Sequence, residues 1–188
     1  MDTGQSVAEV TFTAFDFETT GLYPATDKII EFGAVRFKAG EIIGTFDALA
    51  NPGRAIPAQA GAVSGISDDM VASQPAVAEV VPKFVEFLSD TVLVAHNAAF
   101  DLGFLRAALQ EAGRGDIRNS IIDTVVLAQR AFPRQKSYGL QNLVESLGLA
   151  RGTAHRGLDD AVMCMRLFQA CVEALSFMGE ITLGEVLT

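Results

Sequence analysis

Residues 10–17 read VTFTAFDF, and this stretch decides the fold of the chain. Alternating polarity, together with Thr and Phe side chains, predicts a β-strand. Two more stretches of strand character follow at residues 29–37 and 41–49, and the short Lys-Ala-Gly turn at 38–40 separates them. The chain is therefore predicted to begin with three strands, of which the last two form a hairpin.

Helices and short strands alternate after the hairpin. The sequence predicts a small-residue loop over 58–67 and an amphipathic helix from Gln74-Pro75 to residue 88. The further predicted elements are a strand over 91–95, a helix over 99–112, a strand over 117–122, and helices over 124–132, 140–147 and 158–177. This order predicts an α/β fold with a mixed five-stranded sheet, helices on both faces, and a ligand site at the carboxyl ends of the parallel strands.

The composition is that of one globular domain. The chain has 188 residues, of which 49% are hydrophobic and 20% charged, and no apolar run approaches the roughly 20 residues that cross a bilayer. Its start, MDTGQSVAEV, lacks the basic and apolar regions of a secretory signal. We expect a flexible N-terminus over 1–9, a catalytic domain over 10–178 and a tail over 179–188, in a cytoplasmic protein with no membrane partner.

The net charge of −9 is unusual for a protein that binds nucleic acid, because phosphate contacts normally need a basic surface. Acids that hold metal cations would reverse the sign of the local field. Eight basic residues of the second half could also contact a strand, although any single one of them is more often ordinary surface charge: Arg106, Arg114, Arg118, Arg130, Arg134, Lys136, Arg151 and Arg156.

Two acids lie near the end of the first predicted strand. Asp16 and Glu18 are two positions apart, so both side chains leave the same face of the strand. Two partly desolvated carboxylates repel each other unless a cation lies between them, which favours a divalent metal site. An incidental acidic pair at a strand end is the alternative, because this spacing alone is a weak motif.

Two later segments add further acids and a histidine. Asp101 follows the fourth predicted strand at the start of a helix, where the helix dipole alone would also favour an acid. His155 precedes the last long helix, whose first turn contains Asp159 and Asp160. These two neighbours differ in direction by about 100°, so only one of them can face a shared site.

Together these segments resemble the DEDDh, or DnaQ-like, 3′-5′ exonuclease family, which includes the proofreading epsilon subunit of bacterial DNA polymerase III. The resemblance covers nearly the whole chain and rests on three motifs, which are FDFETTGL at 15–22, HNAAFDLGFL at 96–105 and HRGLDDA at 155–161. It implies a ribonuclease H-like fold, and the family spacing between histidine and last acid selects Asp160 over Asp159.

The resemblance also implies a catalytic role for each matching residue. Two divalent ions, Mg or Mn, would be bound by Asp16, Glu18, Asp101 and Asp160, with Asp16 bridging them. Oxygen ligands suit hard cations, and two such ions can stabilise both the attacking and the leaving oxygen of a phosphoryl displacement. A histidine side chain can take up a proton near neutral pH, which suits His155 to act as the general base. His96 is the alternative base, although ordering of its own turn is the favoured role.

Substrate contacts are implied in the same way. The family binds the terminal nucleotide with backbone amides after the first acid pair and wedges an apolar side chain, here Leu22, against its base. Ser64 stands where many relatives carry a histidine that contacts this nucleotide. The expected contacts are Thr19, Thr20, Gly21, Leu22, Ser64, Asn97, Phe100 and Phe104. Capping of a helix is the favoured role for Asp123.

The leading hypothesis is a metal-dependent 3′-5′ exonuclease that acts on single-stranded DNA, releases nucleoside 5′-monophosphates and serves proofreading or repair. A trimming enzyme for RNA or oligoribonucleotides on the same scaffold is the second hypothesis, because motifs do not reveal contacts to the 2′-hydroxyl. The third is a binding subunit of a polymerase complex. The expected partners are single-stranded DNA or RNA 3′ ends and a DNA polymerase subunit.

Overall fold

A computed structural model describes residues 2–187 and contains one mixed sheet of five strands. The strands are β1 (Thr11–Thr19), β2 (Ile29–Lys38), β3 (Glu41–Leu49), β4 (Val92–Ala95) and β5 (Ile121–Asp123). Their order in the sheet is β3-β2-β1-β4-β5. β2 pairs antiparallel with β1 and β3, whereas β4 pairs parallel with β1 and β5. The predicted meander and mixed five-stranded sheet are confirmed.

Helices cover both faces of this sheet, as predicted. They are α1 (Ala58–Ser64), α2 (Asp68–Val71), α3 (Val77–Leu88), α4 (Ala98–Glu111), α5 (Thr124–Ala131), α6 (Leu140–Ser146), α7 (Gly157–Leu175) and α8 (Leu183–Val186). One core cluster joins the sheet to α5, α6, α7 and α8, and a second joins the opposite face to α3 and α4.

The alternation along β1 places its acids under α7. Phe12 and Ala14 belong to the core cluster on the α7 side, whereas Phe15 and Phe17 belong to the cluster on the α3 and α4 side. Because side chains alternate along a strand, Asp16 and Glu18 continue the row of Phe12 and Ala14. Both carboxylates therefore point toward the face on which α7 packs.

The small-residue segment after β3 differs from the prediction. We expected a loop over 58–67, but residues 58–64 form α1. Pro57 precedes the helix, and Gly65 ends it in the left-handed conformation with φ 69°. A proline before a helix and a glycine after it are ordinary boundary signals, and the small side chains between them obscured the helical periodicity.

The last strand is shorter than predicted. We expected a strand over 117–122, whereas β5 spans only Ile121–Asp123. Its partner β4 has four residues, and the parallel register runs from the Leu93–Ile121 pair to the Ala95–Asp123 pair. The residues before Ile121 are not part of a strand because the ladder between β4 and β5 begins at that pair.

The two ends of the described chain pack together. The amide of Val7 donates to the Ile181 carbonyl, and the amide of Leu183 donates to the Gln5 carbonyl. Val7, Leu183 and Val186 are buried in the core cluster on the α7 side. The expected flexible segment 1–9 and tail 179–188 therefore contribute to the folded unit, with Met1 and Thr188 outside the described residues. No helix within residues 2–187 has the length and apolarity to span a membrane.

Candidate active site

A cavity of about 560 Å³ opens at the carboxyl end of β1. Its wall is built from β1, the connection after β1, α1, the start of α6 and the segment before α7. The wall includes four of the five predicted catalytic residues, Asp16, Glu18, His155 and Asp160. It also includes the predicted substrate contacts Thr19, Thr20, Gly21, Leu22 and Phe100.

The acids of β1 lie in an environment that disfavours their charged forms. Burial is the largest cause that raises the pKa of Asp16 well above its ordinary value, followed by repulsion from Asp101 and Asp160. Burial, followed by repulsion from Asp160 and Glu31, raises the pKa of Glu18 from 4.5 to about 7. In the absence of a bound cation, the raised pKa values therefore favour the protonated forms of Asp16 and Glu18.

Asp101 reaches the site from α4. The residue is 2% exposed, and its Oδ1 atom accepts a hydrogen bond of 3.1 Å from the Phe17 amide on β1. Burial raises the pKa of Asp101 to about 8, although the Phe17 amide acts in the opposite direction. Asp101 does not line the cavity, and its hydrogen bond with the amide of Phe17, the residue after Asp16, holds it beside β1.

The side chains of Asp160, His155 and Glu18 lie close together. One ligand atom from each of these three residues lies within 4.8 Å of the others. Asp160 Oδ2 accepts the His155 amide at 2.8 Å, and Asp160 Oδ1 accepts from Gln141 Nε2 at 2.7 Å. Burial is the largest cause that raises the pKa of Asp160. The neighbouring Asp159 instead accepts the Thr153 amide at 2.8 Å and does not line the cavity.

Two glycines bring α7 against the sheet. Gly33 is the register partner of Asp16 on β2, and Gly157 is the first residue of α7. A Cβ atom built on Gly33 would lie 1.9 Å from the carbonyl carbon of Gly157. This contact permits the first turn of α7 to lie on β1 and β2, so Asp160 can reach Glu18.

The second histidine has a structural role. His96 Nδ1 lies 2.9 Å from Thr124 Oγ1, and His96 Nε2 lies 2.9 Å from the Tyr138 carbonyl oxygen. Burial lowers the pKa of His96. Although His96 borders the cavity, both of its ring nitrogens are engaged, which matches the expectation that it orders its own turn. Asp123 likewise caps α5 through the Val125 amide at 2.8 Å, as expected.

The connection after β1 is held open by Asp27. Its carboxylate accepts the Tyr23 amide at 2.9 Å and lies close to the Thr20 hydroxyl. A Cβ atom at Gly21 would lie 2.4 Å from Asp27 Oδ2, so a larger residue at that position would displace the Asp27 carboxylate. Leu22 is 71% exposed at the cavity and is free to meet a ligand.

Three of the predicted substrate contacts are not brought to the cavity. Ser64 is 4% exposed, and its hydroxyl donates to the Ala60 carbonyl and accepts the Ile66 amide. Phe104 is 1% exposed in the core, where it packs on Phe100. Asn97 is exposed outside the cavity wall, and its amide donates to Asp123. α1 turns Ser64 inward, α4 turns Phe104 toward the sheet, and the exposed Asn97 lies outside the cavity wall, so the structure does not bring these three residues to the cavity.

Sequence reasoning did not single out two residues that contact the predicted catalytic segments. Glu31 is 1% exposed and accepts hydrogen bonds from Arg156 and from the Gly157 amide. Gln141 on α6 donates to Asp160. A lone acid inside the apolar run IIEFGAV was the available signal for Glu31, whereas the pattern around Gln141 offered none.

These residues fit hard divalent cations. The donor set at the meeting point consists of carboxylate oxygens with one histidine, and oxygen ligands are those that Mg²⁺ and Mn²⁺ prefer. Burial raises the pKa of all four acids, and repulsion within the set adds to this effect for Asp16, Glu18 and Asp101. A bound cation would offset this penalty. The site can therefore hold a divalent metal.

Proteins of similar sequence and fold include nucleases and polymerase components. The model of the RNase_T exonuclease family matches residues 13–168. The DNA polymerase III subunit epsilon of Treponema pallidum is 45% identical over 165 residues, which are 87% of this chain and 77% of that protein. The PolC-type DNA polymerase III of Thermotoga maritima is 39% identical over 178 residues, which are 95% of this chain but 13% of that protein.

Solved structures agree with these matches. Exonuclease X in complex with 5′ overhanging duplex DNA is 26% identical with a TM-score of 0.74, covering 94% of this chain and 99% of that one. Escherichia coli exonuclease I with a dT13 oligonucleotide has a TM-score of 0.77 over 89% of this chain and 42% of that one, and at 19% identity it supports the fold alone. The chain belongs to the RNase_T exonuclease family and is an exonuclease of the DnaQ-like type.

Proposed function

We propose that this exonuclease removes nucleotides one at a time from the 3′ end of single-stranded DNA and releases nucleoside 5′-monophosphates. The observation that carries the proposal is the meeting of Glu18, His155 and Asp160 within 4.8 Å. The cavity wall around them also contains Asp16.

The carboxylates are the proposed metal ligands. Two divalent cations, Mg²⁺ or Mn²⁺, would supply stabilisation of the attacking and leaving oxygens in an in-line displacement at phosphorus. Asp16 and Glu18 project from one face of β1, Asp160 lies in the first turn of α7, and Asp101 on α4 is held beside β1 by the Phe17 amide. Rigid elements thus hold all four acids, which favours a fixed ligand geometry.

His155 is the proposed general base. It is exposed to the cavity, so its imidazole can accept the proton of the attacking water without a change of fold. Its backbone amide is fixed on Asp160 at 2.8 Å, which keeps the base beside a metal ligand. His96 is the weaker candidate because both of its ring nitrogens are engaged.

The apolar part of the cavity suits a terminal nucleotide. Leu22 and Val63 are 71% and 53% exposed and line the same cavity, and Phe100 contributes an aromatic ring. Contacts of this kind accept any base because every base has an apolar face. Backbone amides of Gly21 and Leu22 are the proposed contacts to the terminal sugar and phosphate, whereas the Thr20 amide donates to the Lys28 carbonyl at 2.8 Å.

The relatives favour DNA and a replication context. The Treponema relative is a subunit of a DNA polymerase, and the Exonuclease X structure contains DNA. We therefore propose a DNA polymerase subunit as the partner and proofreading or repair as the process. Gel filtration of the chain with the polymerase catalytic subunit of the same genome tests this association, and separate elution of the two proteins would contradict it.

An assay with 5′-labelled single-stranded DNA and RNA of one sequence tests the proposed function. With Mn²⁺ or Mg²⁺ we expect a ladder of shortened products that forms faster from DNA, and no reaction in EDTA. A phosphorothioate at the last 3′ linkage should block shortening, whereas the same group at the 5′ end should not. Intact DNA would contradict the proposal, and faster loss of RNA would assign the chain to RNA trimming.

A further inference from the structure

A buried acid on β2 faces the catalytic acids. Glu31 is 1% exposed and is the register partner of Glu18 across the β1–β2 ladder. Like charges directly opposite each other destabilise a sheet, and a buried carboxylate is costly unless it is paired. A buried Glu31 carboxylate at this position therefore requires a contact that offsets the cost of its burial.

Arg156 and the start of α7 provide that contact. Glu31 Oε1 accepts from Arg156 Nη2 at 2.7 Å and from Nε at 3.1 Å. Glu31 Oε2 accepts the Gly157 amide at 2.8 Å. Because both carboxylate oxygens are engaged, and ion pairs of this planar geometry are strong and directional, Glu31 is suited to fix the backbone rather than to bind a cation.

The residues that Glu31 holds adjoin the general base. The segment 153–157 also donates the Thr153 amide to Asp159 and the His155 amide to Asp160. Both of those acceptors belong to α7, whereas Glu31 belongs to the sheet. His155 has φ 60°, a left-handed conformation that a residue other than glycine adopts only when its surroundings hold it there.

We propose that Glu31 is a positioning residue that acts through Arg156 and the Gly157 amide. It fixes the segment 153–157 to the sheet and so sets His155 at the correct distance from Glu18 and Asp160. This inference rests on the proposed function, in which His155 takes the proton from the attacking water.

The test compares Glu31→Gln, Arg156→Gln and the double variant with the parent chain. Glu41→Gln is the matched control, because Glu41 is an exposed acid on the neighbouring strand β3. We expect Glu31→Gln to lower kcat about 10- to 100-fold, the usual effect of removing a partner behind a catalytic group, with KM for single-stranded DNA within about twofold. The double variant should be no slower than the slower single variant, since both residues act through one contact.

A second measurement separates positioning from metal binding. The rise in melting temperature on addition of Mn²⁺ should be the same in Glu31→Gln as in the parent chain. Loss of that rise would overturn the inference and make Glu31 a metal ligand. If Glu31→Gln does not fold, Arg156→Lys takes its place, because lysine keeps a positive charge beside the buried Glu31 but cannot donate the paired hydrogen bonds of the guanidinium. An unchanged kcat in folded Arg156→Lys overturns the inference.

The outcomes distinguish this inference from the proposed function. An unchanged kcat in a folded Glu31→Gln or Arg156→Gln variant, with an active parent, overturns the inference alone. An inactive parent chain overturns the proposed function and the inference with it. Equal losses of kcat in Glu41→Gln and Glu31→Gln would also overturn it, because a general effect of charge would then explain both.

Discussion

Gly33 on β2 and Gly157 at the start of α7 are in direct backbone contact. A Cβ atom on Gly33 would lie 1.9 Å from the Gly157 carbonyl carbon and 2.1 Å from the Leu158 nitrogen. Gly33 is also the register partner of Asp16. One close approach therefore fixes the distance between the acids of β1 and the acid of α7.

The first prediction concerns this contact. Gly33→Ala should lower the free energy of unfolding by about 3 kcal/mol, at the upper end of the range for over-packing, because its neighbours are backbone atoms that cannot rotate away. Urea unfolding followed by circular dichroism measures the change. Gly44→Ala on β3 is the control, since its Cβ would lie 3.6 Å from the Phe87 ring, an ordinary contact. Equal stability of the two variants would contradict the account.

The second prediction uses the two histidines of the chain. His155→Gln should lower kcat by about 10²- to 10⁴-fold, the range for a general base, and leave the melting temperature nearly unchanged. His96→Gln should instead lower the free energy of unfolding by about 1–3 kcal/mol, because it disturbs half-buried hydrogen bonds to Thr124 and Tyr138. Steady-state kinetics and thermal denaturation of both variants decide, and a loss of kcat larger in His96→Gln would assign the base to His96.

The third prediction concerns the stability of the metal-free protein. The pKa of Glu18 is raised from 4.5 to about 7 and that of Asp101 from 3.8 to about 8. The folded state therefore holds protons that the unfolded state has lost, so the contribution of these acids to stability falls as pH rises from about 5 to about 8. Melting temperatures in EDTA should decrease over this window, and the decrease should be smaller in Asp101→Asn. An equal decrease in the variant would count against the raised pKa of Asp101.

The fourth prediction concerns metal binding at different pH. Protons and cations compete for the same carboxylates, so Mn²⁺ should raise the melting temperature more at pH 8 than at pH 6. Differential scanning fluorimetry of EDTA-treated protein measures both shifts. Asp69→Asn, which removes an exposed acid of α2, should keep the full shift. A shift that is independent of pH would show that other groups bind the metal.

The fifth prediction tests the apolar wall of the cavity. Leu22→Ala should raise KM for single-stranded DNA about fivefold, which corresponds to about 1 kcal/mol of lost apolar contact. Its melting temperature should not change, because Leu22 is 71% exposed. Ile43→Ala on β3, where Ile43 is 58% exposed outside the cavity, is the matched control. An unchanged KM in Leu22→Ala would remove this side chain from the proposed nucleotide contact.

Local patterns account for the parts of the fold and site that the sequence predicted. The period of two along β1 was enough to place Asp16 and Glu18 on one face, and the helical period allowed only one of Asp159 and Asp160 to face the site. The family motifs selected Asp160, which lines the cavity. In each case the deciding geometry lies within a few residues of the chain.

Contacts between distant residues account for what was missed. Glu31 and Gly157 are separated by more than a hundred positions, and no periodicity links them. Ser64 was expected at the substrate because of its place in a motif, but Gly65 ends α1 so that the Ser64 hydroxyl binds the backbone. The direction of a side chain at the end of a helix depends on how the helix is capped, here by Gly65, and composition does not reveal this geometry.

Acids from one strand, β1, and two helices, α4 and α7, are proposed to share divalent cations that hydrolysis requires. The most direct measurement is the rate at which Asp16→Asn shortens 5′-labelled single-stranded DNA in Mn²⁺, compared with Asp69→Asn and the parent chain. We predict the parent rate of shortening in Asp69→Asn and a rate at least about 10³-fold lower in Asp16→Asn. In EDTA we predict no shortening by any of the three proteins. Parent-like shortening by Asp16→Asn, or by the parent chain in EDTA, would contradict this proposal.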